Sequence, residues 1–115
     1  MPKFSQGDIL LVPLPFTDLT ASKKRPVLVL SKLDYNNTTD DLIVAAITSN
    51  IDNKPHAIKF TPSDMADGVL AVDSCVRADK IYTLSQSIVI KRYGKVNYEI
   101  VESVKTAILN IIDET

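Results

Sequence analysis

Apolar residues in the N-terminal and central parts of the chain come in short blocks that polar turns separate. Short apolar or alternating blocks between turn residues are typical of β-strands. The pattern predicts strands over residues 8–14, 26–31, 42–47, 56–60, 73–84 (one strand or two) and 88–91. It also predicts a polar loop over 17–24, a polar connection over 34–41 and a turn over 92–95.

The C-terminal part has a different period. Val101, Val104, Ile108 and Ile111 recur at helical spacing, which predicts a helix with one buried stripe, supported by Ala107 and Ile112. Asn97 is the predicted N-cap of this helix, and Thr61 before Pro62 predicts a capped helical turn. Strands followed by a packed helix indicate a mainly β (α+β) fold, and short strands in a small chain favour a closed or partly closed barrel.

Length and composition fit one ordinary globular domain spanning residues 1–115. The chain has 115 residues, of which 45% are apolar and 23% charged. No apolar run approaches the ~20 residues of a membrane span, and the N-terminus lacks the apolar segment of a secretion signal. The one cysteine, Cys75, cannot form an internal disulfide, so we expect a reducing, cytoplasmic environment.

Charge is close to balanced but unevenly distributed. A net charge of −1 argues against a non-specific nucleic-acid binder, which usually carries a basic excess. The cations concentrate at residues 23–25, 77–80 and 91–95, whereas most acidic residues fall in predicted loops and the tail. Such segregation is compatible with a local positive face, and equally with solvated loop charges.

Three predicted strand ends carry candidate chemistry. Arg25 precedes Pro26 at the start of a strand, where its guanidinium could hold a phosphate through two hydrogen bonds. Thr48 and Ser49 end an apolar strand with two hydroxyls. Arg77 and Asp79 share one strand face, as a phosphate clamp beside a proton-handling carboxylate. Taken singly, these features are more typical of a surface salt bridge, turn capping and a surface ion pair.

Other kinds of site lack support. The one histidine, His56, follows Pro55 at the start of a strand, where a solvated role is the simpler interpretation. One cysteine, one histidine and scattered carboxylates make no metal-ligand pattern. Three glycines form no phosphate-binding loop. We therefore expect neither a metal ion nor a nucleotide cofactor.

Taken together and in order, several segments resemble the MazF/PemK toxins of bacterial toxin–antitoxin systems. The matching segments are Gly7-Asp8-Ile9, Arg25-Pro26-Val27, Ile47-Thr48-Ser49, Asp73-Ser74 and Ile81-Tyr82-Thr83. Their order and spacing span nearly the whole chain. Arg77-Ala78-Asp79 resembles an Arg-x-Asp of the plasmid PemK/Kid branch, whereas Tyr82 replaces an arginine that is frequent there.

The resemblance implies a small SH3-like β-barrel with a C-terminal helix, acting as a homodimer. It implies metal-independent cleavage of single-stranded mRNA by attack of the ribose 2′-hydroxyl, which leaves a 2′,3′-cyclic phosphate and a 5′-hydroxyl. The catalytic residues it implies are Arg25, Arg77, Thr48 and Asp79. The RNA-binding residues that follow from it are Lys23, Lys24, Ser49, Lys80, Thr17 and Thr20.

In this interpretation Arg25 and Arg77 stabilise the charge that gathers on the phosphate oxygens, and Thr48 donates a hydrogen bond. Asp79 is the expected proton acceptor, because an arginine is almost never neutral. The resemblance also implies an antitoxin whose acidic segment covers the RNA groove, and DNA contact only through that antitoxin.

Two other functions compete with this one. A toxin of the same fold can poison gyrase without enzymatic activity, but such proteins act through aromatic and apolar C-terminal residues. This chain ends Ile112-Asp113-Glu114-Thr115 and has no tryptophan. A catalytically silent binding module is the third interpretation, which the net charge of −1 would suit.

Overall fold

A curled antiparallel sheet dominates the computed structural model, which describes residues 4–15, 22–51 and 55–114. Within these ranges the strands are β1 (Asp8–Pro15), β2 (Ser22–Val29), β3 (Asp41–Thr48), β4 (Ala57–Phe60), β5 (Met65–Gly68), β6 (Ser74–Ser85) and β7 (Lys91–Val96). The helices are α1 (Leu33–Thr38) and α2 (Tyr98–Ile112), and single 3-10 turns lie at Pro62–Asp64 and Gln86–Ile88.

The strand order bends the sheet into a half-barrel. It runs β4-β6-β3-β2-β1-β7-β5, so β4 and β5 are the two outer strands. These strands are also neighbours along the chain, since only Thr61 and the turn Pro62–Asp64 separate them. The sheet must therefore curl until its edges approach each other. The predicted barrel with a C-terminal helix is confirmed in this half-barrel form.

Alternating side chains build an apolar layer on each face of the sheet. One layer contains Ile9, Leu28, Ala45, Ile47, Phe60, Leu70, Val76, Ala78, Val96, Val101 and Val104. The other contains Leu10, Val12, Leu14, Val27, Val29, Leu42 and Val44. Because the central strands bury both faces, their sequences read as nearly continuous apolar runs rather than as a strict alternation.

The C-terminal helix packs against the first of these layers. Asn97 occupies the predicted N-cap position, and Val101 and Val104 are buried against β4 and β6. The predicted stripe holds through Ile108, since Ala107 and Ile108 also pack against this layer, whereas Ile111 and Ile112 at the far end are exposed. The predicted helical turn after Thr61 is confirmed as a 3-10 turn, and the Thr61 N–H donates to Asp64 Oδ2 at 2.8 Å.

The second strand begins earlier than predicted. Residues 22–25, predicted as the end of a mobile loop and a strand edge, lie inside β2, where Lys23 pairs with Leu14 and Arg25 with Val12. Backbone hydrogen bonds between strands do not depend on side-chain polarity. The pairing of β2 with β1 therefore continues through the cationic residues. Both Lys23 and Lys24 are exposed, which lets the strand continue without burying their charges.

The polar segment after β2 contains a helix where a connection was predicted. Asn36 of α1 is fully buried, and its amide donates to Phe4 O (2.8 Å) and Ser31 O (3.0 Å) while accepting from the Ser31 hydroxyl. Gln86 donates to the carbonyl of Asn36 at 2.7 Å. These long-range bonds fold a segment whose composition is typical of a loop.

The strand prediction over 88–91 and the turn over 92–95 are both wrong. Ile88 belongs to a 3-10 turn, and residues 92–95 lie in β7, which pairs with β1 and β5. Gly94 suggested a turn, but it marks a close crossing of two strands. A Cβ at Gly94 would lie 2.3 Å from Asp67 O, and one at Gly68 would lie 2.2 Å from Tyr93 O. The partner strand β5 was not predicted.

Candidate functional site

A cavity of about 370 Å³ opens where β2 begins, β3 ends and the segment after β5 passes. It is lined by Lys24, Arg25, Pro26, Ile47, Thr48, Ser49, Val69, Leu70, Ala71, Val72, Ser74 and Tyr93. Cations and hydroxyls come from β2 and the end of β3, whereas valines, leucine and alanine come from residues 69–72. Within the described ranges, its lining holds no carboxylate and no histidine.

The sheet itself brings the first two predicted strand ends together. The β2–β3 ladder ends at Val27 and Ala46, so Arg25 and Thr48 each lie two residues beyond that pair, and both line the cavity. Arg25 is half-buried, and its backbone pairs with Val12 of β1. Lys24 and Ser49 extend the same wall of the cavity.

The Thr48 hydroxyl has a defined orientation. Its Oγ1 accepts the Asn50 N–H at 3.1 Å. A hydroxyl that accepts one hydrogen bond keeps its own proton for donation. Thr48 can therefore donate to an anion in the cavity beside Arg25, which carries the positive charge.

Arg77 and Asp79 form the predicted pair on one strand face. Arg77 Nε donates to Asp79 Oδ1 and Arg77 Nη2 to Oδ2, both at 3.1 Å. Hydrogen bonding from Arg77 holds the pKa of Asp79 below its ordinary value, against a smaller opposing effect of desolvation. Neither residue lines the cavity. Arg77 pairs with Ala46, two residues before Thr48, which sets its Cα about 8 Å from that of Thr48.

Lys80 lies beside this pair in an irregular part of β6. Ala45 pairs with Ile81 and Ala46 with Arg77, so residues 78–80 have no partner on β3. Such a bulge redirects side chains from the regular alternation. Lys80 is exposed and also lowers the pKa of Asp79 by its charge.

The remaining predicted residues do not join the cavity. Lys23 is exposed on β2 and is absent from the lining. Thr17 and Thr20 lie outside the described residues. His56 is exposed in the turn before β4, with φ +63°, and its carbonyl accepts the Ala78 N–H.

Asp8, part of the segment Gly7-Asp8-Ile9, belongs to the framework and not to the cavity. It is 2% exposed, and its Oδ2 accepts the Ser5 N–H at 2.9 Å. Its Oδ1 lies 3.2 Å from Arg92 Nη2 and 3.8 Å from Lys95 Nζ. These ion pairs tie β1 to β7.

Sequence reasoning missed the apolar wall of the cavity. Val69 and Val72 are exposed, Leu70 is buried, and Tyr93 reaches the cavity from β7. The one local signal was the apolar run of residues 69–72 after Gly68, which had no predicted element.

Two further properties concern the described part of the chain as a whole. No group of three or more histidine, cysteine or acidic residues there could hold a metal ion. Neither α1 nor α2 is long and apolar enough to cross a membrane.

Comparison with known proteins relates the chain to one family and one fold. The family model described as PemK-like, MazF-like toxin of type II toxin-antitoxin system matches residues 5–112. The comparison with curated proteins gives no significant match.

Solved structures with the same fold include the following three. An endoribonuclease in complex with its cognate antitoxin from mycobacterial species is 20% identical, with a TM-score of 0.79 over 97% of both chains. The Mycobacterium tuberculosis toxin MazF-mt6 is 23% identical, with a TM-score of 0.73 over 92% of this chain and 96% of that one. MazF in the MazE-MazF complex of Deinococcus radiodurans is 18% identical, with a TM-score of 0.75 over 97% and 98%.

Proposed function

The chain belongs to the PemK-like, MazF-like toxins of type II toxin-antitoxin systems, and from that premise we propose that it is a metal-independent endoribonuclease that cuts single-stranded mRNA at a short sequence. The observation that carries the proposal is the meeting of Arg25, Lys24, Thr48 and Ser49 around one cavity. Cations and hydroxyl donors make a wall suited to a phosphate.

Charge stabilisation is the main catalytic contribution that this wall can make. Attack on phosphorus gathers negative charge on the non-bridging oxygens, and donors already in place stabilise that charge most strongly in the transition state. The Arg25 guanidinium can donate two parallel hydrogen bonds, and Lys24 adds a second charge. The Thr48 hydroxyl, oriented by the Asn50 N–H, donates a further bond.

The substrate supplies its own nucleophile in the proposed reaction. The ribose 2′-oxygen bonds to the adjacent phosphorus as the bond from phosphorus to the 5′-oxygen breaks. The products are a 2′,3′-cyclic phosphate and a 5′-hydroxyl. Water takes the 2′-hydroxyl proton and gives one to the 5′-oxygen, because no acidic or histidine side chain lines the described part of the cavity.

We assign Arg77 to the electrostatic field of this site and Asp79 to positioning Arg77. Two hydrogen bonds hold the guanidinium, and a carboxylate with a lowered pKa is a weaker base than an ordinary aspartate. Lys80 and Lys23 then contribute to the RNA-binding surface beside the cavity, as Thr17 and Thr20 do in the sequence-based prediction.

The proposed partners are single-stranded RNA, a cognate antitoxin and a second copy of the chain. Relatives of the same fold are described as complexes with an antitoxin. An acidic antitoxin segment would compete with RNA for Lys24 and Arg25. Exposed Leu109, Ile111 and Ile112 on the last turns of α2 give an apolar surface for a protein contact.

Cleavage of a long single-stranded RNA in EDTA, with both new ends mapped and identified, tests the proposal. We expect cuts at one short recurring sequence, with cyclic phosphate and 5′-hydroxyl ends. A single 2′-deoxynucleotide at the 5′ side of the mapped cut should abolish cleavage there. Intact RNA after incubation with folded protein, or cleavage of the deoxy substrate, would refute the proposed activity or its mechanism respectively.

A further inference from the structure

The segment that follows β5 exposes apolar side chains at the mouth of a basic cavity. Val69 is 75% exposed and Val72 54% exposed, whereas Leu70 between them is 9% exposed and packs in the core. Single exposed valines are common on protein surfaces. Here both of them line the cavity that Lys24 and Arg25 line from another side.

This apolar segment is held in place by its neighbours. The Val69 N–H donates to Tyr93 O at 3.3 Å, and the Ser74 hydroxyl donates to Val72 O at 3.2 Å. The close crossing of Gly68 and Gly94 fixes the chain where the segment begins. A wall that is already ordered adds little conformational cost when a ligand binds.

The third component of the wall is Tyr93. Lys91 Nζ lies 4.7 Å from the centre of its ring, and Tyr93 is partly buried against the core. These contacts hold the side chain that reaches the cavity from β7.

The two kinds of wall define the chemistry of the occupant. Lys24 and Arg25 require an anion, and the Thr48 and Ser49 hydroxyls can donate to it. The apolar part of the lining, residues 69–72, favours an apolar surface attached to that anion. A cavity of about 370 Å³ lies within the ~300–1,000 Å³ range of small-molecule pockets. A nucleotide, with its phosphate and flat base, meets both requirements.

We propose that Val69, Val72 and Tyr93 form a nucleobase subsite, which holds a base next to the scissile phosphate while Arg25 holds the phosphate itself. The subsite rests on the proposed function and adds a specificity-determining surface to it. The valines offer methyl groups and no hydrogen-bond donors, so they recognise the face of the base rather than its edge. Contact with the base fixes which phosphate reaches Arg25.

The test compares wild-type protein with Val69→Ser/Val72→Ser, and with Leu33→Ser as the matched control. Leu33 is 47% exposed on α1 and is not among the cavity-lining residues. The substrates are an RNA oligonucleotide with the mapped cleavage sequence and two versions with one abasic ribonucleotide, on either side of the cut. Thermal unfolding verifies that each variant is folded.

For wild-type protein we expect kcat/KM to fall about 10-fold for one of the two abasic substrates, a typical effect for loss of one base contact. The double variant should lose a similar factor on intact RNA, lose little more on that abasic substrate, and show relaxed preference at that position in mapped cuts. Leu33→Ser should behave as wild type.

Two results would overturn the subsite in different ways. If wild-type protein cleaves RNA but the double variant cleaves intact RNA at the wild-type rate, the subsite is wrong and the proposed ribonuclease stands. If wild-type protein cleaves no RNA, both proposals fail together.

Discussion

The guanidinium of Arg77 and the carboxylate of Asp79, two residues apart on β6, face each other through two parallel hydrogen bonds of 3.1 Å. The pair lies on the strand beside β3, near Thr48 but outside the cavity lining. A guanidinium held by a carboxylate has a fixed direction, and a carboxylate held by a guanidinium is a weak base. The geometry therefore bears on the stability that the pair provides and on the positioning role proposed for Asp79.

Acid should weaken the contribution of this pair to stability. Because hydrogen bonding from Arg77 lowers the pKa of Asp79 in the folded protein, the unfolded chain binds the proton more readily. The stabilisation is present above the unfolded pKa, about 3.9, and is lost as pH falls through the lower folded value. We expect Asp79→Asn to reduce the free energy of unfolding at pH 6 by at most about 1 kcal/mol.

Urea unfolding at pH 6 and pH 2.5, for wild type and Asp79→Asn, measures this difference. The gap between the two proteins should shrink at the lower pH. A gap that stays the same or widens there would contradict the lowered pKa.

The same substitution separates a positioning role from proton transfer. Asp79→Asn keeps one oxygen to accept from Arg77, so we expect kcat to fall by no more than about 10-fold and the slope of the pH–rate profile to stay unchanged. Loss of a general base costs roughly 100- to 10,000-fold and removes a limb of the profile. Cleavage rates from pH 5 to 9 decide between these roles.

Gly68 should tolerate no side chain. Its φ is +74°, and a Cβ would lie 2.2 Å from Tyr93 O and 2.6 Å from Gly94 Cα, which are backbone atoms that cannot rotate away. We expect Gly68→Ala to cost at least about 2 kcal/mol of unfolding free energy. Gly7→Ala is the matched control, because Gly7 also has positive φ (+95°) but its nearest neighbour is the Val101 side chain at 3.4 Å.

The control should cost about 1 kcal/mol, from backbone strain alone. Equal losses for the two variants in denaturant unfolding would show that the crossing of β5 and β7 is looser than described.

Asn36 should be sensitive to an exchange of its amide for a carboxylate. The buried amide nitrogen donates to the carbonyls of Phe4 and Ser31, so Asn36→Asp would place an oxygen against two oxygens in a fully buried position. We expect a loss of about 3 kcal/mol. The neighbouring exposed Asn37→Asp makes the same chemical change and should stay within about 0.5 kcal/mol.

Thermal and denaturant unfolding of the two variants at pH 7 provide the comparison. A similar stability for Asn36→Asp and Asn37→Asp would mean that the amide bonds do not hold α1.

The basic half of the cavity was predictable because its residues lie at ends of strongly apolar strands. Arg25 and Thr48 were both identified, and β2–β3 pairing is what brings such neighbouring strand ends together. The apolar half was not predictable. Its one local signal, the apolar run of residues 69–72, does not indicate that this run lies beside Tyr93, because that proximity follows from the long-range pairing of β5 with β7.

The wrong predictions of secondary structure also arise from long-range contacts. Asn36 has the composition of a loop residue, and partners at Phe4 and Ser31 make it a core residue. Gly94 reads as a turn because glycine usually marks one, but here it permits two strands to cross. Local propensity and hydrophobic pattern located most strands and α2. The elements that were missed, α1, β5 and most of β7, form because of contacts with residues distant in the sequence.

The role of Arg25 can be measured by cleavage of a mapped RNA oligonucleotide in EDTA. The proteins compared are wild type, Arg25→Ala, Arg25→Lys and Lys105→Ala. Lys105 is a half-buried cation on α2, paired with Glu102, and is not among the cavity-lining residues. Removing one transition-state donor typically costs roughly 100- to 1,000-fold in kcat. We expect Arg25→Ala to lose at least about 100-fold while folded, Arg25→Lys to lose less, and Lys105→Ala to match wild type. Cleavage by Arg25→Ala at the wild-type rate would contradict a role for Arg25 in the reaction.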